Sequence, residues 1–403
     1  MRRFKGSRRW ARVVMTPGLA IGMAAGAATS GSEPVARVPI VFARTQVRVP
    51  VSVNGSAPFV LILDTGMPTR GVILRQTERV DLLGLDFPDE ESLSGGGSGP
   101  AVAARVASGA HIEVGGYAIA DVPVIVLPAT VPLPRDTDGV IGAELFEKFA
   151  VRVDVDAERI DLFDSQSFQP AGEGTSVPLR FREGKAFVDA RVTVQSGPPV
   201  TADLAIDLGA GHALWLNDGS KDKFAPPPGA IETTLGRGIS GDIRGSIGRV
   251  SRIELGNFAF ENVVTLFPVK EHQHPGGVDF RDGFVGAELL TRFVVTFDYP
   301  AKCMILQRGA RFSAPFEYDM TGMVLDPEGL DRRRVDAVLD GSPAQIAGVE
   351  TGDVLVAVDG ETLAALGPDG LRRALQREDV EIRVTLERGS KTIEKQFRLR
   401  RLV

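Results

Sequence analysis

The sequence predicts a mainly β protein of two like lobes followed by a smaller α+β module. Three observations carry this expectation: short valine-rich runs bounded by turns, an internal repeat, and a change of texture after Pro315. The 46 glycines and 26 prolines among 403 residues interrupt the apolar runs too often for long helices and suit strands joined by tight turns. A chain this long exceeds one ordinary core, so two or three domains are expected. Hydrophobic residues at 43% and charged residues at 24% fit a globular protein. The net charge of −6, with basic clusters no longer than Arg332–Arg334, argues against a nucleic-acid-binding face.

Taken in order, residues 1–30 read as an export signal. Arg2, Arg3, Lys5, Arg8 and Arg9 form a basic start, the apolar Leu19–Ala28 stretch follows, and small residues near Ala25-Gly26-Ala27 offer a cleavage site. A periplasmic location is expected, the alternative being an uncleaved membrane anchor. Cys303 is the sole cysteine, so no intrachain disulfide can form and the fold must rest on its core.

The two lobes follow, over residues 37–168 and 173–312. Gly139-Val-Ile-Gly-Ala-Glu-Leu-Phe-Glu-Lys-Phe-Ala-Val-Arg-Val-Asp154 and Gly283-Phe-Val-Gly-Ala-Glu-Leu-Leu-Thr-Arg-Phe-Val-Val-Thr-Phe-Asp298 are identical at half their positions. Val60-Leu-Ile-Leu-Asp64-Thr-Gly66 is echoed by Ala202-Asp-Leu-Ala-Ile-Asp207-Leu-Gly209, and Ile112–Gly115 by Ile253–Gly256. The separation of Asp64 from Asp138 nearly equals that of Asp207 from Asp282. Shared order and spacing predict one topology used twice, by internal duplication. In each lobe a hairpin leads to the aspartate: Val47–Val53, a turn at Asn54-Gly55 and Pro58–Leu63 in the first, then Phe187–Val194, Ser196-Gly197 and Ala202–Ile206 in the second. Glycine-rich tips come next, Ser94–Gly99 and Gly236–Gly241, and each lobe closes with a short helix (Ala143–Phe149 in the first) and a final strand.

Asp64 and Asp207 are thus each delivered by an apolar strand to a glycine-containing turn. Two carboxylates brought face to face cannot both ionise cheaply, so the pair shares a proton. One can act as base on a water while its partner protonates a scissile carbonyl. Neither a metal nor a covalent intermediate is called for, and no cofactor is expected.

These residues resemble a known family. Leu61-Ile-Leu-Asp64-Thr-Gly66 followed by Asp138-Gly139-Val140-Ile141-Gly142, and Gly283-Phe-Val-Gly286 through Phe297-Asp298, resemble the pepsin and retropepsin pattern of aspartic proteases over roughly residues 37 to 312. The resemblance implies two β-barrel lobes and water-mediated peptide hydrolysis by catalytic Asp64 and Asp207. It also implies support of the site loops by Thr65, Gly66, Leu208 and Gly209, and flaps at the two glycine-rich tips. Leu208 departs from the family's Thr or Ser, whose hydroxyls clamp the two loops across the lobes. Met67 stands where a small residue is usual, and neither flap carries a tyrosine. A non-catalytic, periplasmic peptide-binding adaptor on the same fold is the alternative function.

Residues 314–403 form the last module. Gly341-Ser-Pro-Ala-Gln-Ile-Ala-Gly348 followed by Gly352–Gly360 is similar to bacterial PDZ domains. Ser342 and Pro343 suit a helix start, Gly348 its end, and Asp359-Gly360 a tight turn. Gly367–Arg377 reads as a second helix lining a groove, with Leu371 and Leu375 as groove or core residues, and Glu381–Glu387 and Ile393–Leu399 read as closing strands. The resemblance implies binding of protein C-termini as an added strand, the terminal carboxylate resting on the loop Met320, Thr321, Gly322 and Met323. A peptide or protein substrate is the expected partner, with no nucleic acid, and the sequence leaves the oligomeric state open.

Other signals are weaker. His272 and His274 lack partners at zinc-ligand spacing and read as a polar loop. His111 and His212 are isolated, His212 being expected at the surface although near Asp207. Glu144 and Glu288 open the repeated helices and are expected to be structural.

Overall fold

A computed structural model describes residues 31–97, 99–172, 174–217, 223–269, 271, 282–326 and 329–403. The expected export signal and the His272/His274 pair lie outside the described residues, as does Ser98 in the first glycine-rich tip.

The first lobe runs β1 (Ala36–Pro39), β2 (Val41–Ala43), β3 (Gln46–Val53), β4 (Phe59–Leu63), β5 (Val72–Arg75), α1 (Glu78–Asp81), β6 (Asp89–Leu93), β7 (Val102–Val114), β8 (Tyr117–Leu127), β9 (Gly139–Ile141), α2 (Ala143–Phe146), β10 (Phe149–Asp154) and β11 (Arg159–Asp164). The second runs β12 (Thr175–Pro178), β13 (Arg180–Arg182), β14 (Lys185–Thr193), β15 (Val200–Asp207), β16 (Leu214–Leu216), β17 (Ile231–Gly238), β18 (Gly241–Leu255), β19 (Phe258–Pro268), β20 (Gly283–Gly286), α3 (Ala287–Leu290), β21 (Phe293–Asp298) and β22 (Cys303–Arg308). The protein is mainly β, as the sequence predicts.

The repeat has a direct counterpart in topology. One eight-stranded sheet is ordered β2-β3-β4-β9-β5-β8-β7-β6 and the other β13-β14-β15-β20-β16-β19-β18-β17, the same path strand for strand. In each, an extra pairing, β3 with β7 and β14 with β18, joins strands far apart along that path. A six-stranded sheet, β1-β11-β10-β21-β22-β12, takes three strands from each half and meets at its middle, where Val151, Arg152 and Val153 face Phe297, Thr296 and Val295. One apolar core runs through both halves, with Phe146 edge-on to Phe297 at 5.4 Å across the seam.

The repeated Gly-x-x-Gly segments have a steric cause. β9 lies parallel to β4 and antiparallel to β5, wedged between them, and a side chain at Gly139 would press into the Ile73 carbonyl. Gly283 meets the Trp215 carbonyl in the same way. Both helices are shorter than the pattern suggests: α2 ends at Phe146 because β10 begins at Phe149.

The last module runs β23 (Met323–Leu325), β24 (Arg333–Val338), α4 (Pro343–Ile346), β25 (Val354–Val358), β26 (Glu361–Thr362), α5 (Leu363–Ala374), β27 (Glu381–Arg388) and β28 (Lys391–Arg398), around its own apolar core. Ser342 caps α4 by accepting from Gln345 N at 3.3 Å, with Pro343 in the first turn. The second helix expected over Gly367–Arg377 is present. α5 is two helical stretches divided at Gly367, whose φ of 62° and ψ of 173° are not helical. A short stretch capped by Thr362 comes first, and Pro368 opens the one the sequence predicts, which ends at Ala374. The module is tied to the lobes: Arg44 N donates to Asp369 Oδ1 at 3.2 Å, Arg249 Nη1 to the Phe316 carbonyl at 2.7 Å, and the Arg292 guanidinium lies 3.5 Å from the centre of the Phe316 ring.

Candidate active site

β4 carries Asp64 off its end, and Asp64 N donates to the Ile141 carbonyl at 2.9 Å, locking the residue to β9. β15 ends on Asp207, which pairs with Gly286 of β20. The two aspartates meet between the lobes. Their carboxyl groups are hydrogen-bonded to each other, and each also takes an amide of its own loop: Gly66 N donates to Asp64 Oδ1 at 2.7 Å, and Ala210 N to Asp207 Oδ1 at 3.0 Å. The turns must approach across the lobes. A Cβ on Gly66 would lie 2.8 Å from Asp207 Cγ, and one on Gly209 would overlap Asp64 Cγ. Only glycine at both positions lets the carboxyls face each other.

The clamp between the loops is one-sided. Thr65 Oγ1 donates to the Ile206 carbonyl and accepts from Leu208 N, both at 2.9 Å, and all three residues are buried. Thr65 therefore makes a complete cross-lobe bridge by itself. The Leu208 side chain, which the sequence marks as unable to bond, packs into the core instead, and its backbone N–H still serves the bridge.

Burial pushes the Asp64 carboxyl up to about 7, reinforced by the charge of Asp207 and opposed by the Gly66 amide and by Lys185. Asp207 is also raised, first by burial, while the Lys185 ammonium and the Ala210 amide pull it back. The pair titrates as a unit. Lys185 is buried and its own pKa is lowered by that burial, with Asp207 and then Asp64 pulling it upward.

Sequence reading misses Lys185, and the fold explains its place. In β3–β4 Arg48 faces Ile62, and in β14–β15 Phe187 faces Ala205, each partner standing two residues before its aspartate. Lys185 thus occupies in the second lobe the position that Gln46 holds in the first. Gln46 Nε2 donates to the Gly209 carbonyl at 3.2 Å, so the same position carries a neutral amide beside one loop and an ammonium beside the other. Tyr299 is missed as well: its buried hydroxyl has no hydrogen-bond partner among the described residues, and its pKa is raised by burial and by the charges of Asp64 and Asp207.

The glycine-rich tips meet above the cleft. Gly99 N donates to the Ser240 carbonyl at 2.7 Å, Ser240 N to the Gly96 carbonyl at 2.9 Å, and Gly95 N to Ser240 Oγ at 3.3 Å. His212, expected at the surface, instead lines the cleft, where burial lowers its pKa to about 4 and keeps it neutral. Glu144 anchors Gly71 N at 3.2 Å and Arg70 at 3.3 Å. Among the described residues no three of His, Cys, Asp and Glu converge as a metal site requires.

One cleft of about 1380 Å³ is lined by Asp64, Asp207, Lys185 and His212, and also by Met323 and Leu371 of the last module. The loop expected to hold a peptide carboxylate leads into β23, and its amides are engaged within the chain. Asp319 Oδ1 accepts from Thr321 N and Gly322 N, and Thr321 Oγ1 accepts from Met323 N.

Residues 49–145 match the family model of an aspartyl protease. Residues 334–388 match that of a PDZ domain. The first match covers Asp64, Thr65 and Gly66 and ends within α2; the second spans β24 to β27. No curated protein matches the chain.

Proposed function

We propose that this chain is an aspartic endopeptidase whose Asp64 and Asp207 act together on one water, with the PDZ domain engaging the polypeptide substrate. The observation that carries the reading is the mutual hydrogen bond of two half-buried carboxyls at the floor of a cleft between the lobes, beneath two tips that bond to each other. Asp64, raised to about 7, holds the shared proton, and Asp207, nearer Lys185 in its electrostatic balance, is the ionised partner. Asp207 takes a proton from water as the water oxygen attacks the peptide carbonyl carbon, and Asp64 gives its proton to the carbonyl oxygen. Collapse of the resulting gem-diol breaks the C–N bond, with the proton on Asp207 passing to the amine and one hydroxyl proton of the gem-diol returning to Asp64. The matched strand order and the repeated motifs together support an origin by duplication, and the basic, then apolar first 30 residues support export to a periplasmic compartment.

Leu208 favours a second reading. With one clamp hydroxyl absent, the same cleft would serve a non-catalytic peptide-binding protein. Pepstatin, whose statine hydroxyl takes the place of the attacking water, separates the two. Stoichiometric binding that abolishes turnover of a broad peptide library, and that is lost in Asp64→Asn and in Asp207→Asn, is expected. A wild-type protein that cleaves no peptide in a pepstatin-sensitive manner would sink the catalytic reading.

A further inference from the structure

In the last module, every amide from Met320 to Met323 has an acceptor inside the chain. Met320 N donates to the Leu375 carbonyl at 2.9 Å, Thr321 N and Gly322 N to Asp319 Oδ1 at 2.9 and 3.0 Å, and Met323 N to Thr321 Oγ1 at 2.9 Å. Thr321 Oγ1 also donates to Asp319 Oδ1 at 2.6 Å, and Thr321 is fully buried. One carboxylate oxygen on two consecutive amides is how such a loop would hold the end of a peptide. Here the carboxylate belongs to the chain itself.

The remainder of the groove borders the cleft. β23 is the edge of its sheet, paired only with β24. It lines the cleft through Met323, Val324 and Leu325, facing Leu371 and Leu375 at the end of α5. The same cleft reaches Asp64 and Asp207, and the Arg44–Asp369 bond holds α5 against the rim of the first lobe.

We infer that the groove between β23 and α5 takes an internal, extended segment of a polypeptide and not its C-terminus, because Asp319 stands where a terminal carboxylate would bind. This deepens the endopeptidase reading and rests on it only for the identity of that polypeptide as the substrate. A C-terminus would stop at the loop. A segment held by strand addition runs on past both ends of the groove, and one chain can then pass from β23 into the cleft that holds the dyad. Main-chain pairing along β23 supplies sequence-tolerant affinity, and the apolar wall of Met323, Leu371 and Leu375 favours apolar side chains at alternate positions.

The test compares one dye-labelled peptide ending in Val-Val-Val as free acid and as C-terminal amide, by fluorescence anisotropy on the full chain. An Asp64→Asn background prevents cleavage, so an inactive dyad does not affect the readout and the two proposals fail separately. The two forms are expected to bind within about two-fold of each other, and a photo-reactive residue at mid-peptide is expected to label β23 or α5. Asp319→Ala frees the two amides and shifts preference to the free acid by about ten-fold, the size of one charge-assisted hydrogen bond. Asp319→Asn keeps an acceptor oxygen and leaves the ratio near one, which also guards against a folding defect in the alanine variant. A ten-fold preference for the free acid with Asp319 intact overturns the inference. So does an unchanged ratio in a folded Asp319→Ala protein, labelling confined to the lobes, or no binding of either form.

Discussion

Thr65→Val removes one hydroxyl at nearly constant volume and isolates the bridge between the two aspartate loops. That hydroxyl donates to the Ile206 carbonyl and accepts from Leu208 N, each at 2.9 Å. Thr65, Ile206 and Leu208 are 3%, 0% and 1% exposed, so water cannot replace either bond. A buried backbone group left unpaired costs about 1–3 kcal/mol, so two of them cost about 2–4 kcal/mol once the loops have relaxed. Urea unfolding followed by the fluorescence of Trp215, which is buried in the second lobe, reads that loss. Thr65→Ser keeps the hydroxyl and loses only a methyl, about 1 kcal/mol. Catalysis is expected to fall more in kcat than in KM, because the loops carry the reacting carboxyls and not the substrate pockets. A Thr65→Val protein within about 0.5 kcal/mol of wild type would refute the bridge, since surface-like substitutions fall in that range.

Three further outcomes are expected. Lys185→Gln, which gives the second lobe the residue at the matching position of the first, removes a positive charge that lowers both carboxyl pKa values, so the acidic limb of the kcat/KM profile moves to higher pH; Lys185→Arg keeps the charge and the limb, and an unmoved limb in Lys185→Gln contradicts the assignment. Asp64 binds a proton in the folded state up to about pH 7 but in the unfolded state only up to its ordinary value near 3.8, so it contributes stability that falls as pH rises between them and is gone above about 7. Asp64→Asn removes this window, and its urea midpoint is expected to vary less between pH 4 and 7 and to exceed that of wild type at pH 8; parallel pH curves for the two proteins would refute it. Gly97 stands at φ 112° with no room for a Cβ against Ser240, so Gly97→Ala is expected to part the tips and raise KM with stability little changed, as measured by steady-state kinetics on an unfolded protein substrate.

Much of the fold can be read from the chain because the repeated residues are the ones packing forces. Gly139 and Gly283 tolerate no Cβ where three strands crowd, and the glycines at 66 and 209 face a carboxyl across the seam. Such positions keep their spacing in both lobes, and the two sheets share one strand order. What escapes sequence reading depends on contacts between distant segments. Lys185 opens a strand far upstream of Asp207 and reaches the cleft only through hairpin register. Leu208 suggests a weakened clamp, yet the bridge needs its backbone N–H and not its side chain. At the PDZ loop a local signal was present: Asp319 two and three residues before Thr321 and Gly322 has the spacing of a side chain that caps its own amides. His212 is isolated along the chain, and folding places it in the cleft wall, half-buried.

The measurement that bears most directly on the paired carboxyls is cleavage of an unfolded protein such as reduced casein, followed by mass spectrometry, for wild type, Asp64→Asn and Asp207→Asn. If the two aspartates share one proton and one water, wild type produces internal cuts, and each variant loses them by at least about a thousand-fold, as expected for groups acting as a unit. Cleavage by either variant at a rate near that of wild type would contradict the account.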